Sequence, residues 1–354
     1  MKERYVYGSL TRKSDLSTKP FDVVQLPRHQ WETGDLVVGK FLPNPETLTS
    51  PGWVELPCGR RRTFEPNDLL VGALGLRNST KEAVGNWYDI GNDLRMQELC
   101  NSGMFGIETS HPPQDPPSPS FQYQGHALRQ EKKLCMKDFV PEFPKNRKLS
   151  CKVVLIVGTS MSVGKTTAAR TVINVLKEMN VGKVVGAKLS GAGHYHDVLS
   201  MLDAGADDVV DFVDIGLPST ILPPQQYSSS LHDLLSLICS KNPDIVVMEV
   251  GASPCEPYNG LVALKELAER AHFVVLCASD AYSVVGAEQC FLKHAGLNIQ
   301  PDIVTGIVAA TSGGCDLVLQ MSGIPALSLA TQESVNKLRK LLANSLVVQE
   351  SSGR

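Results

Sequence analysis

Apolar and polar positions alternate in two different rhythms along this chain. Up to residue 139 the apolar runs are short and are separated by Gly, Pro and Asn. Leu36–Phe41, Trp53–Leu56 and Leu69–Leu74 read as strands, as do Phe121–Ala127 and Leu134–Val140. The segment Gly34-Asp35-Leu36-Val37-Val38-Gly39 is echoed by Asn67-Asp68-Leu69-Leu70-Val71-Gly72, a turn pair launching an apolar strand that ends at Gly. Two such copies suit the hairpins of a small barrel or sandwich and are too few for a solenoid. Asp93–Cys100 is the one stretch here with a helical look. His111–Pro119 holds five prolines and predicts a stiff surface loop.

After Ser150 the rhythm changes to strands alternating with helices. Val153–Val157, Val184–Leu189, Ile245–Val250, Phe273–Ala278, Ile303–Ala309 and Ala326–Leu329 are predicted strands. Thr166–Met179, Ser230–Cys239, Leu261–Arg270, Val284–Ala295 and Glu333–Leu342 are predicted helices. This alternation predicts a mostly parallel sheet flanked by helices. The basic, proline-bearing stretch Pro141–Lys148 reads as a linker. The expected division is a β-rich domain over 1–145 and an α/β domain over 150–354.

Composition narrows the class. Of 354 residues, 42% are hydrophobic and 20% charged, which suits globular domains with true cores. A net charge of −3 argues against a nucleic-acid-coating protein. No apolar run approaches the roughly 20 residues needed to span a bilayer. The polar start, Met1–Pro20, lacks the apolar core of a secretory signal, so a cytoplasmic protein without membrane partners is expected. The nine cysteines form no C-x-x-C pair, and buried, reduced thiols are expected.

The chemistry concentrates in Val157-Gly158-Thr159-Ser160-Met161-Ser162-Val163-Gly164-Lys165-Thr166-Thr167. A predicted strand leads in and a predicted helix leads out, the context of a phosphate-binding P-loop. Glycines let backbone N–H groups turn toward phosphate oxygens, and the helix N-terminus adds partial positive charge. Gly158, Thr159, Ser160, Ser162, Val163, Gly164, Lys165, Thr166 and Thr167 are therefore the candidate phosphate-binding set. Lys165 can reach the outer phosphates, and the Thr166 hydroxyl can ligate Mg²⁺. Gly158 and Gly164 stand one residue further apart than in the common motif.

That longer spacing, Gly-Thr-x-x-x-Val-Gly-Lys-Thr, resembles the dethiobiotin synthetase group of P-loop NTPases. The resemblance runs from Ser150 to about Leu342. Val185–Gly193 is similar to that family's second strand, with Lys188 matching its phosphate-region lysine. Val246–Ala252 is similar to its acidic strand end, with Glu249 matching the magnesium-associated carboxylate. His294-Ala295-Gly296-Leu297 and Ile303–Ala309 resemble the late helix–strand unit before the nucleotide base. The resemblance implies ATP and Mg²⁺ as cofactors, Lys165, Lys188 and Glu249 as catalytic residues, and Thr166 and Glu249 as metal ligands. A looser resemblance is to P-loop proteins related to D-glutamate N-acetyltransferase, whose nucleotide site could equally hold coenzyme A.

The expected activity is ATP-dependent transfer or ligation on a small-molecule substrate, with a homodimer as an open alternative. A nucleotide switch or metallochaperone-type NTPase, a coenzyme A-dependent acyltransferase, and a regulatory protein with the β-rich domain as its interaction module are the competing classes. His194, His196 and Asp197 offer a metal cluster to the second of these, or else a polar loop. Asp211 and Asp214 read as a solvated acidic surface or as site residues, and Asp280 follows a strand end. Thr311-Ser312-Gly313-Gly314 lacks the Lys and Asp of a guanine-reading element, which disfavours GTP. Gly59-Arg60-Arg61-Arg62 reads as a hairpin end or an anion site, and Gly75–Thr80 as a comparable anion site.

Overall fold

The computed structural model describes residues 4–44, 52–293, 297 and 299–347. Contacts divide the chain into two compact units. The first holds Met1–Glu142 together with Ala192–His196 and Phe212–Ile221; the second holds Phe143–Gly191, Asp197–Asp211 and Leu222–Arg354.

The first unit contains strands β1 (Arg4–Tyr7), β2 (Asp22–Val24), β3 (Leu36–Leu42), β4 (Trp53–Glu55), β5 (Arg61–Thr63), β6 (Asp68–Leu74), β7 (Leu76–Asn78), β8 (Val84–Asn86), β9 (Arg95–Cys100), β10 (Met104–Ser110), β11 (Ser120–Arg129) and β12 (Lys132–Lys133). Neighbours run β6–β3–β11–β9–β10, and β10 pairs back onto β6, closing a barrel. Of the two architectures open in the sequence, the barrel is the one formed. The two echoed segments lie side by side in it: β3 and β6 are antiparallel, with Val37 opposite Gly72 and Gly39 opposite Leu70. Their apolar side chains join a core of Val37, Phe41, Leu70, Leu74, Met96, Phe105, Phe121 and Tyr123. Two expectations fail here. Asp93–Cys100 is no helix: β9 occupies it, because Met96 and Glu98–Cys100 are buried between β10 and β11. Leu134–Val140 is no strand but a 3₁₀ turn over Met136–Phe139, fixed by the Asp138 carboxylate, which accepts from the Cys135 N–H at 2.8 Å.

The second unit is a parallel sheet of β13 (Lys152–Gly158), β14 (Val184–Ser190), β15 (Asp208–Asp211), β16 (Ile245–Val250), β17 (Phe273–Cys277) and β18 (Ile303–Thr305). Their order is β15–β14–β16–β13–β17–β18. Parallel strands covered on both faces need continuous apolar runs, and β13, β14, β16 and β17 are buried almost throughout. The helices are α1 (Lys165–Glu178), α2 (Tyr195–Asp203), α3 (Pro224–Ser240), α4 (Gly260–Leu267), α5 (Ala281–Ala287), α6 (Ser312–Ser322) and α7 (Gln332–Val347). Val172 and Leu176 of α1 and Leu338 and Leu342 of α7 share a core with Val154, Ile156, Val247 and Val275 of the sheet. The alternate β13 residues Val153, Leu155 and Val157 are buried as well, so that strand is covered on both faces.

Three expectations need correction in this half. The strand expected over Ile303–Ala309 stops at Thr305 and continues, beyond Gly306, as a 3₁₀ turn. Ala326–Leu329 makes only a single bridge, Ala326 to Val304. The helix expected from Val284 starts earlier, at Ala281, and gives way to a π-helical turn over Glu288–Lys293. His294, Ala295 and Gly296 lie outside the described residues. The thiols also differ from expectation: Cys100 and Cys277 are buried, but Cys58, Cys255 and Cys290 are exposed, and all nine are free.

Candidate functional site: a phosphate loop with two buried lysines

The loop between β13 and α1 forms where the sequence predicts it. Ser162 and Gly164 both take positive φ, 58° and 99°, which turns the chain sharply into the helix. Lys165 opens α1, and its side chain folds back across Gly158, where a Cβ would lie 2.7 Å from the lysine Cδ. Only glycine leaves that room. The Lys165 ammonium donates to the Ser160 carbonyl at 2.8 Å and so spans the mouth of the loop. The Thr159 hydroxyl is buried there without a partner among the described residues. A buried hydroxyl without a partner is costly.

Sheet register brings the other candidates together. Glu249 of β16 lies opposite Ile156 of β13 on one side and Lys188 of β14 on the other. Lys188 in turn lies opposite Asp211 of β15. The Thr166 hydroxyl donates to the Glu249 carboxylate at 3.3 Å. Lys165, Lys188 and Glu249 are each almost wholly buried, at 6%, 5% and 3% exposure. Four ionisable groups thus crowd the carboxyl end of a parallel sheet, where open α/β folds take their ligands.

Their electrostatics follow from that crowding. Burial lowers the Lys165 ammonium, although Glu249 pulls the other way. Burial also works against the charge on Lys188, but Asp197, Glu249 and Asp211 outweigh it and the ammonium is raised. Burial and the nearby Asp197 raise Glu249, against the pull of Lys165 and Lys188. Asp197 forms an ion pair with Lys188. This makes Asp197, rather than the His-Asp triplet as a unit, the acidic partner of the site.

The remaining candidates separate. The His196 N–H donates to Glu55 at 2.6 Å within the first unit, and His194 lines a cavity there. Among the described residues no group of three or more His, Cys, Asp or Glu side chains is placed to hold a metal. Asp211 and Asp214 are buried, not solvated, and Asp214 pairs with Arg12 at 3.3 Å and Lys13 at 3.0 Å. Asp280 caps α5 by accepting from the Ser283 N–H at 2.8 Å, and Thr311 caps α6. Arg62 is no free hairpin end: it pairs with the buried Asp68 at 2.8 Å. Gly306 went unnoticed in the sequence because its role is long-range: a Cβ there would meet the Val163 carbonyl of the phosphate loop at 2.2 Å.

No protein-family model matches the chain, and no curated protein does. Solved structures show partial likeness. The chain is similar to chloroplast FtsY from Physcomitrella patens at 18% identity and a TM-score of 0.36, over 52% of this chain and 59% of that one. A DUF1611 family protein from Anabaena variabilis gives 14% identity and a TM-score of 0.38, over 58% and 63%. A ParA family ATPase from Chlorobium tepidum gives 17% and 0.32, over 55% and 92%. The chain thus spans about three fifths of the length of the FtsY it matches. The strand, loop and helix around Lys165 are set in a parallel sheet flanked by helices, an α/β architecture with a glycine-bearing loop at the strand–helix junction.

Proposed function

We propose that the chain is an ATP-dependent enzyme that transfers a phosphoryl group to a small molecule, or activates one with ATP. One observation carries the reading: two buried lysines, Lys165 and Lys188, share one buried carboxylate, Glu249, beside the phosphate loop. Lys188 already has Asp197, Glu249 and Asp211 to hold its charge, but burial still works against the charge on Lys165, and an anion bound in the loop would support it. A triphosphate with its transferring group between the two ammonium groups would do so.

Catalysis of this kind is mainly positioning and charge neutralisation. Lys165 would hold the outer phosphates from the helix end, and Lys188 would meet the charge that develops during transfer. Asp197 would keep Lys188 charged and aimed. The Thr166 hydroxyl donates to the Glu249 carboxylate, and these two groups would hold Mg²⁺. Bound there, Mg²⁺ would neutralise phosphate charge. The likeness of the Gly158–Thr167 loop, Lys188 and Glu249 to dethiobiotin synthetases supports a small-molecule acceptor.

The decisive test is thermal denaturation of the full chain with ATP, GTP or coenzyme A, each with and without Mg²⁺. ATP at about 100 times its Kd is expected to add about 2.7 kcal/mol of stability. Lys165→Ala is expected to abolish that gain. An unchanged gain in this variant refutes the site, and a response to coenzyme A alone replaces phosphoryl transfer with acyl transfer.

A further inference from the structure

A β-bulge ends β14 beside the phosphate site. From Lys188 to Ser190 this strand advances two residues, while its neighbour β16 advances one, from Glu249 to Val250. Leu189 is therefore the extra residue. A bulge bends its strand, re-aims the side chains next to it and takes the extra residue out of the ladder. Here α3 supports it. Tyr227, in the first turn of α3, is 1% exposed, and its hydroxyl donates to the Leu189 carbonyl at 2.9 Å. A buried phenol needs such an acceptor, so one bond serves both groups.

The bulge shapes the room that the Lys188 stem occupies. The Ser190 hydroxyl donates to the Gly251 carbonyl at 3.2 Å, which ties the bulged strand to the chain just beyond Glu249 and Val250. The two backbones approach so closely that a Cβ on Gly251 would lie 2.0 Å from the Ser190 carbonyl oxygen. The same Cβ would lie 3.1 Å from the Lys188 Cε. Gly191, at φ 125°, leaves comparable room: a Cβ there would lie 3.3 Å from that Cε. The lysine stem thus runs past two glycines, and the placement of Ser190 and Gly191 follows from the bulge. A role in the core alone would make the Tyr227 hydroxyl matter for stability only.

We propose that Tyr227 is a positioning residue for the phosphate site: its hydroxyl holds the Leu189 bulge, and the bulge aims the Lys188 ammonium. The inference rests on the phosphoryl-transfer reading for the step that Lys188 serves, and on geometry alone for the hold on β14. Tyr227→Phe removes one oxygen and keeps the ring, so it tests the hydroxyl by itself. On the full chain with Mg²⁺ and ATP, kcat for phosphate release to water is expected to fall about tenfold. The thermal shift with ATP, which depends on Lys165, is expected to match the parent. In a Lys188→Ala background the same substitution is expected to lower turnover no further, because it acts through that lysine. Without nucleotide, amide hydrogen exchange over 188–191 is expected to run about fivefold faster, with β13 and β17 unchanged. A variant that melts lower and keeps the parental kcat has lost a core contact only, which overturns the proposal. So does a loss of turnover that adds to that of Lys188→Ala, or unchanged exchange over 188–191. A parent that binds ATP and releases no phosphate refutes the transfer reading instead; faster exchange in the variant would still support the hold of Tyr227 on β14.

Discussion

Replacing Glu249 by Gln should make the nucleotide-free protein more stable while it loses Mg²⁺-dependent nucleotide chemistry. The carboxylate is 3% exposed and accepts a hydrogen bond from the Thr166 hydroxyl at 3.3 Å. It is therefore held charged at a cost, opposed by burial and by Asp197 and helped by Lys165 and Lys188. Glutamine keeps the shape and can still accept from Thr166. The net relief is on the order of 1 kcal/mol at neutral pH. In a domain of this size that is about 2–4 °C in Tm. The sign depends on pH. Because the folded carboxyl is raised above its unfolded value, its proton-linked stabilisation is complete below the unfolded value. It is lost as pH rises through the folded one. The advantage of Glu249→Gln is thus absent in acid and grows to a plateau above the raised value. Calorimetric melting at pH 4 and pH 8, paired with ATP titration in Mg²⁺, measures both halves. A variant that melts lower than its parent at pH 8 would show that Glu249 is a structural counter-ion for the lysines. A variant that keeps Mg²⁺-dependent affinity and turnover would remove Glu249 from the chemistry.

Gly306→Ala should weaken nucleotide binding without contacting nucleotide, because its methyl would strike the Val163 carbonyl at 2.2 Å from a backbone at φ 96°. A parent-like thermal shift with ATP would refute this. Thiol alkylation at pH 8 should modify Cys58, Cys255 and Cys290 first. Cys277, buried beneath the site and pushed up to about 12, should react only on unfolding. Mass mapping of the labelled peptides checks the order, and early labelling of Cys277 would show that the sheet opens at β17.

The parallel sheet was legible because burial on both faces forces unbroken apolar strands. Val153–Val157, Ile245–Val250 and Phe273–Cys277 are such runs. The same rule misled at Ala326–Leu329, where Val304 is the one bridge partner and no strand forms. The barrel was legible only locally. Its closure rests on β10 pairing parallel to β6, with Met104 opposite Ala73, a long-range contact that no local pattern encodes. Asp93–Cys100 could be read as helix because a short apolar run has no secure period. Burial between two neighbouring strands decided it.

The site shows the same division between local and long-range information. A strand, a glycine-bearing loop and a lysine at a helix start are adjacent in sequence, so Gly158–Thr167 could be located from the chain alone. The partners of Lys188 could not. His194, His196 and Asp197 look like one cluster in sequence, yet the His196 N–H turns to Glu55 and the Asp197 carboxylate to Lys188. Neighbouring residues share a ligand only if the backbone aims them together, and here it does not. What sequence presented as a metal motif is thus one counter-ion and two histidines with other surroundings. That counter-ion matters for the proposed chemistry. A buried lysine without Asp197 would be disposed to lose its proton, and a neutral amine stabilises no phosphoryl charge. Among the described residues, Glu249 and Asp211 also favour the charge on Lys188, but Asp197 is the nearer support, joined to it as an ion pair. The prediction that follows is specific: Asp197→Asn should lower turnover more than ATP affinity, because Lys165 still anchors the phosphates while Lys188 loses its hold on the transferring group. Steady-state kinetics that show a raised KM with unchanged kcat would assign Asp197 to binding instead.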